Sequence, residues 1–465
     1  MANQNILTYN SSVVEVELDY FAPTTILQES GFPVGTVFAF LGKVTPWTDD
    51  SNPPAPTQDQ QYIKSVYNNM FFVKQVNSND SSAVIVRNDW TANTVYDYYQ
   101  DNVDMFQKDL DGFPVLSFYV RNRYDQVFKC LWNVSNISNP NGSPSTVEPF
   151  FQPGTYGADG IFQGSDNYKW KYMFTVASGD KVKFMDSQWI PVPVGAYTPN
   201  PIQANQGTGN VVGVGDIEVI NVINGGSGYL QSNTTISIVG DGFGAVAIPK
   251  IINGSIVDVE ITNPGSNYTY FTPVINSLSG SGAVLTNDVS PIGGHGFDNV
   301  SELGCNNIMY SVEFNGNEGG LLPTDIQYTQ VGLIVNPIDK NTAPWPANLT
   351  SYNTTTQITV APGVSNYQSG ETVYQVIPNT NTTAYQGIVV SFNPISNVLQ
   401  LINISGTPIY NASIYGNTSN NRRTLLSIST SNFVTFSGYL SYIENRSAVQ
   451  RSSDGIEQFK FVLGY

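Results

Sequence analysis

One histidine in 465 residues limits the chemistry open to this chain. It is His295, set between glycines in GGHGFD (293–298). A Ser-His-Asp triad would have to use it, and a histidine metal cluster cannot be built from it. The sequence has no G-x-S-x-G stretch of the kind that presents a serine nucleophile on a strand-to-helix turn. The flanking glycines predict a sharp turn that places the imidazole in a structural hydrogen bond. Paired carboxylates could hydrolyse a glycosidic bond, and Asp159 with Asp166 is one candidate pair, although spacing alone does not make two acids face each other. GDGFGA (240–245) matches the letters of a dinucleotide fingerprint, but that fingerprint needs a helix after its glycines. Here VAIPKI follows, which reads as a strand interrupted by Pro249. Cys130 and Cys305 are the only cysteines, too few for a disulfide scaffold, and read as small buried residues. No catalytic set, cofactor or metal is expected.

The elements that would position these residues are strands. Short β-branched and aromatic runs bounded by Gly, Pro and Asn recur along the chain. Helical patterns are few: Gln58–Asn69, with Tyr62, Ile63, Val66 and Tyr67 on one face, and short turns at Thr94–Asn102 and Val300–Leu303. The densest aromatic stretch runs from Phe150 to Phe174, with eight aromatics and four glycines in 25 residues. In its second half, Tyr168, Trp170, Tyr172 and Phe174 alternate and are expected on one face of a strand. Such a row suits a core, a subunit contact or a sugar platform, and core or contact is the expectation.

An internal repeat lies within 201–290. VINVINGGSGY ends at Tyr229 and VDVEITNPGSNY at Tyr268, 39 residues later. Each leads to a Gly-x-Gly, at Gly242–Gly244 and Gly280–Gly282, and a related Gly207–Gly209 precedes the first copy. One copy cannot bury its own apolar face, whereas two adjacent copies can. The expected organisation is a β core over 1–200, a β-repeat module over 201–290, core again over 291–346, a second small β insert over 347–420, and C-terminal strands over 421–465. The fold class is mainly β: a multi-layer β-sandwich core with minor helices and inserted small β domains. Alternation of Phe459, Phe461, Leu463 and Tyr465 ties the C-terminal segment into a sheet.

Charge narrows the partners. Lys plus Arg is 19 and Asp plus Glu is 36, a net −17 with no basic run, which argues against nucleic acid. Charged residues are 12% of the chain, about half the usual roughly 25%. A surface of Asn, Ser, Thr, Gln and Tyr hydrogen-bonds well and repels little, which suits permanent assembly. No apolar run is long enough for a membrane helix, and MANQNILTYNSS lacks the pattern of an export signal, so the N-x-S/T triplets are not expected to carry glycans.

Nine segments, in order, carry a resemblance. They are FLGKVTPWTDDSNPPAP (40–56), RNDWTANTVYDYY (87–99), VFKCLWN (127–133), FQPGTYGADGIF (151–162), YKWKYMFTV (168–176), KFMDSQWIPVPV (183–194), PIGGHGFDNVSELG (291–304), QVGLIVNP (330–337) and YIENRSAVQR (442–451). Together they resemble the baseplate wedge subunit of contractile-tailed bacteriophages of the T-even type and their cyanophage relatives, over about 300 residues. The two inserts lie largely outside the resemblance. What it implies is a non-enzymatic virion protein of the tail baseplate, assembled in the host cytoplasm. Its implied partners are a second copy of itself and other wedge proteins, with peripheral baseplate or fibre proteins as further contacts, and neither nucleic acid nor membrane. The candidate structural and interface residues are Trp47, Trp90, Tyr96, Gly154, Tyr156, Gly157, Gly160, Trp170, Trp189, His295, Arg446 and Arg451. A reading from another class is a tail-associated adhesin or polysaccharide depolymerase whose inserts bind carbohydrate.

Overall fold

A computed structural model describes residues 3–7, 36–110, 113–152, 160–193, 215–291, 293–343, 347 and 349–464. The chain is mainly β, built from several antiparallel sheets and one small barrel. It forms two compact units: Met1–Ser81 with Met309–Leu463, and Ser82–Ile308. These divisions cut across the core segments expected at 1–200 and 291–346.

The first unit holds a six-stranded sheet in the order Asn3–Leu7, Tyr439–Arg451, Ile326–Val335, Val37–Gly42, Met70–Val76, Ser351–Asn353. Val37–Gly42 is buried at every position, as a central strand covered on both faces must be. Helix Gln60–Asn69 lies against this sheet, with Val66 buried among Phe38, Phe40, Val73 and Ile443 and with Tyr62, Ile63 and Tyr67 at its margin. Asp59 caps it by accepting from the Tyr62 N–H at 2.8 Å. Strand Ile456–Gly464 lies beside Asn307–Asn315 and buries Phe459, Phe461 and Leu463. Tyr465 is outside the described residues.

The same unit carries a closed six-stranded barrel, ordered Thr356–Val360, Val398–Gly406, Thr383–Asn393, Thr372–Val376, Ser413–Gly416, Arg422–Ser429. Its last strand lies beyond 420, where the second insert was expected to end. Arg422–Ser429 is needed to pair with both Thr356–Val360 and Ser413–Gly416, and so closes the ring.

The second unit contains a four-stranded sheet ordered Tyr119–Arg121, Gln126–Trp132, Lys169–Thr175, Ile161–Gln163. Thr94–Asn102 is not helical, contrary to expectation. Its backbone donors are claimed by other segments: Asp97 N–H by Ser117 O and Tyr99 N–H by Cys130 O. The short helix near 300 is present as Asn299–Glu302, capped by Asp298.

The repeat forms a module over 222–285 in which the two copies pair with each other. Val222–Ser227 pairs with Ser281–Leu285, Thr234–Gly240 with Phe271–Ser277, and Val246–Ile252 with Ser255–Asn263. Each copy's tyrosine closes the other copy's glycine corner. Tyr229 OH accepts from the Ala283 N–H at 3.1 Å, and Tyr268 OH accepts from the Ala245 N–H at 3.4 Å. A Cβ on Gly280 would lie 2.2 Å from the Tyr229 ring, and one on Gly242 would lie 2.4 Å from the Tyr268 ring. Glycine is required there because the rings occupy the space a side chain needs.

Candidate functional site

The second unit buries a cluster of charged side chains where the module joins its neighbouring sheet. In Gln126–Trp132 and Lys169–Thr175, one face carries Phe128, Cys130 and Trp170, which pack with Tyr96 and with Tyr168 just before the second strand. Alternation therefore turns Lys129 and Lys171 to the opposite face, where each is 1% exposed. A buried ammonium needs a partner, and both find one. Lys129 Nζ is 2.9 Å from Glu302 Oε2, and Lys171 Nζ is 3.2 Å from Glu218 Oε2.

The glycine turn around His295 wraps the two glutamates. Gly293, Gly294 and Gly296 all have φ between 84° and 93°, a region that disfavours side chains. Glu218 Oε1 accepts the His295 N–H at 2.8 Å, while Glu302 Oε1 accepts the N–H of Gly296 at 2.7 Å and of Asp298 at 3.2 Å. A Cβ on Gly294 would stand 2.5 Å from Glu218 Oε1, so the turn can approach the carboxylate only as glycine. The expected structural hydrogen bond of the imidazole is corrected here. The backbone N–H makes that bond, and His295 Nδ1 stands 3.8 Å from Glu302 Oε2, beyond hydrogen-bond range. The ring instead meets Tyr99 edge-on at 4.8 Å, and Lys129 Nζ lies 4.2 Å from the centre of the same Tyr99 ring.

Burial lowers the His295 pKa, and the Lys129 charge adds to the effect. Burial likewise lowers that of Lys129, opposed by Glu302. Burial alone would raise the Glu302 pKa, but the Lys129 ammonium outweighs it and holds the carboxyl below the usual carboxylate range. Asp216 is pushed up to about 7 by burial and then by Glu218, and its Oδ1 has no hydrogen-bond partner among the described residues. Lys129 and Lys171 thus face Glu302 and Glu218 one to one. Glu302 has committed one oxygen to two backbone donors and the other to an ammonium. That arrangement holds a loop in place more readily than it moves a proton. A cleft of about 580 Å³ opens beside it, lined by Gln163, Lys169, Glu218, Lys250, Asp258 and Glu260, and Lys169 pairs with Asp258 there at 3.0 Å.

The other expected residues are distributed as follows. Trp170 is fully buried between Tyr168, stacked at 5.5 Å, and Tyr96, edge-on at 5.4 Å. The four-residue aromatic face is corrected: Tyr168, Trp170 and Tyr172 share one side, but Phe174 joins Met173 on the other. The cause is a bulge, since Val127 pairs with Phe174 and Phe128 with Tyr172, leaving Met173 extra. Trp90 donates from Nε1 to Ser145 Oγ at 3.1 Å, and Trp189 lies opposite Val86 in a strand pair. Gly160 takes φ 66° and its carbonyl accepts the Tyr172 N–H. Gly154, Tyr156 and Gly157 lie outside the described residues, as does Asp159. Asp166, its suggested catalytic partner, accepts from the N–H groups of Thr146 and Val147 and so shapes a turn. In the first unit, Trp47 donates to Arg446 O at 3.1 Å. Arg446 lies 3.9 Å from Glu444, and the buried Arg451 pairs with Glu457 at 2.7 Å.

Lys129, Lys171, Tyr99, Asp216, Glu218 and Glu302 were missed in the sequence. One signal for two of them was available. VFKCLW and YKWKYMF place lysines among apolar and aromatic strand residues, where a cation is buried unless the strand is at a surface. Among the described residues no helix is long and apolar enough to cross a membrane, and no group of three or more His, Cys, Asp or Glu is placed to hold a metal ion. In comparisons with known proteins, no family model matches the chain and no curated protein matches its sequence.

Proposed function

We propose that this chain is a structural subunit of a contractile phage tail baseplate wedge, joining neighbouring wedge proteins by protein–protein contacts and pairing with a second copy of itself. The nine ordered segments suggest it. The observation that carries it is where the residues of those segments lie. Lys129 of VFKCLWN, Lys171 of YKWKYMFTV, and His295 and Glu302 of PIGGHGFDNVSELG meet in one buried, internally paired cluster. Tyr96, Phe128, Tyr168 and Trp170 of the same segments meet in one aromatic core. Residues that carry the resemblance thus build the scaffold, as expected of a protein whose task is to keep a shape under load.

The test is electron microscopy of intact virions carrying this chain, with the density of the tail end resolved. The expected result is six-fold repeated density at the baseplate that accommodates both units. Density in fibres or spikes, or hydrolysis of host glycans abolished by one Asp or Glu substitution in a folded protein, would favour the adhesin or depolymerase reading.

A further inference from the structure

A groove of about 360 Å³ opens on the second unit between residues 95–105 and the loop at Pro140–Asn141. Val95, Met105 and Leu116 give it an apolar lining, and Asp97 is the one charged residue that lines it. Its shape is set before anything enters. Asn133 donates from Nδ2 to Tyr96 O at 2.9 Å and to Asn141 O at 3.3 Å, which pins the far wall. A Cβ on Gly142, whose φ is 87°, would lie 2.4 Å from that same Nδ2, so the wall comes this close only with glycine there. Asp97 is fixed as well. Its N–H donates to Ser117 O at 3.0 Å, and its Oδ2 accepts the Ser117 N–H at 2.7 Å. Its Oδ1 has no hydrogen-bond partner among the described residues.

We propose that this groove docks a lysine of another protein, carried in an apolar segment. The aliphatic stem lies on Val95, Met105 and Leu116, and the ammonium meets Asp97. With Oδ2 committed, the carboxylate presents one oxygen, which suits the point charge of an ammonium better than the fork of a guanidinium. The inference rests on the assembly reading above and names the chemistry of one neighbouring protein and the surface that takes it.

Charge decides the occupant. Residues 95–105 hold Asp97, Asp101 and Asp104 and no lysine or arginine, and Asp101 and Asp104 are exposed. Lys108, the next cation along the chain, does not line the groove. A second copy is a poor donor, because the chain has 19 cations against 36 acids. It also spends many of those cations internally, Lys74, Arg87, Arg121, Arg123, Lys181 and Arg451 among them. A segment of a different protein, with lysine beside apolar residues, complements both the lining and the acidic rim.

Fluorescence anisotropy on the full chain tests this, with a labelled peptide of repeated lysine–leucine pairs as probe and thermal unfolding as the control for folding. The peptide is expected to bind, and to bind more weakly as salt rises. Peptides of glutamate–leucine and of lysine–serine pairs should bind at least about 10-fold more weakly, since each lacks one half of the match. Asp97→Asn should weaken lysine–leucine binding about 10-fold at low salt. Asp454→Asn, which removes the same charge from an exposed site in the first unit, should change it less than about 2-fold. Val95→Lys, which puts a cation at an exposed margin of the groove, should weaken it about 30-fold or more. If the two aspartate variants weaken binding equally, or the lysine–serine peptide binds as well, the attraction is diffuse and the groove is not the site. Absence of binding overturns the proposal too, and leaves the place of the chain in the tail to the microscopy described above. Self-pairing in sedimentation velocity that Asp97→Asn abolishes would give the groove to a second copy and equally overturn it.

Discussion

The repeat module and the barrel solve the same problem differently. Each is a small β unit of roughly seventy residues, near the size at which a core alone is marginal. The barrel removes its strand edges by closing, around Ile358, Val373, Val389, Leu399, Leu401 and Leu425. It also buries two charges, but with neutral partners. Glu371 accepts from the N–H groups of Gln368, Thr418 and Ser419, and Arg423 donates to Asn397 Oδ1 and Gly363 O. The module stays open-edged and relies on contacts between its copies, while its root is held by ion facing ion. Charges held by dipoles do not need another residue's proton state. Charges held by charges do, so the two regions should respond differently to mutation and to pH.

The largest effect should come from breaking an ion pair at the module root. Lys129→Met leaves Glu302 buried without its cation and should cost about 3–5 kcal/mol in chemical denaturation. The double variant Lys129→Met with Glu302→Gln should recover most of that loss, and equal losses in single and double variants would contradict the pairing. The next effect is a pH dependence of the second unit. Asp216 has a folded pKa of about 7 against an ordinary 3.8, so the folded form binds the extra proton between those values. Stability contributed by the neutral carboxyl is therefore present below about pH 4 and lost as pH rises through 7, by up to about 4 kcal/mol. Asp288, raised to about 6 by burial and Asp101, acts in the same direction. Asp216→Asn should flatten the curve, and its advantage over the wild type should grow from pH 4 to 7.

A smaller loss is expected in the barrel. Glu371→Gln keeps the shape and gives up acceptor capacity, costing about 1–2 kcal/mol at any pH in the neutral range. A cost as large as that of Lys129→Met would erase the distinction between the two regions. The smallest effect belongs to the reciprocal lock. Tyr229→Phe leaves the Ala283 N–H without its acceptor and should cost about 1 kcal/mol, with faster hydrogen exchange at Ala283 rather than at Ala245. Exchange rising at Ala245 instead would show that each tyrosine serves its own copy.

Much of this was legible in the sequence, for reasons that differ by region. The module was readable because its tyrosines and glycines have steric roles that recur at a fixed spacing. Helix Gln60–Asn69 was readable because its apolar face has helical period, but its start was set two residues early, at Gln58, since Asp59 caps the helix from outside. The ion cluster was not, because its members lie far apart in the chain and each looks ordinary alone. Lys129 reads as a strand lysine, and Glu302, 173 residues later, as a glutamate in a short helix. The turn of Phe174 to the other face was hidden for another reason: the bulge at Met173 is fixed by pairing with Val127 and Phe128, not by local composition. Thr94–Asn102 was misread because its alternating tyrosines fit either period, and distant carbonyls decided the matter.

The exchanged tyrosines of the module also constrain how its sequence can change over time. A substitution at Gly280 must be answered at Tyr229, in the other copy, rather than at the adjacent Tyr268. Neither copy can drift, shorten or be lost by itself without opening a corner in its twin. The heritable unit of this repeat is accordingly the pair, and variation between related chains should remove or add such repeats two at a time.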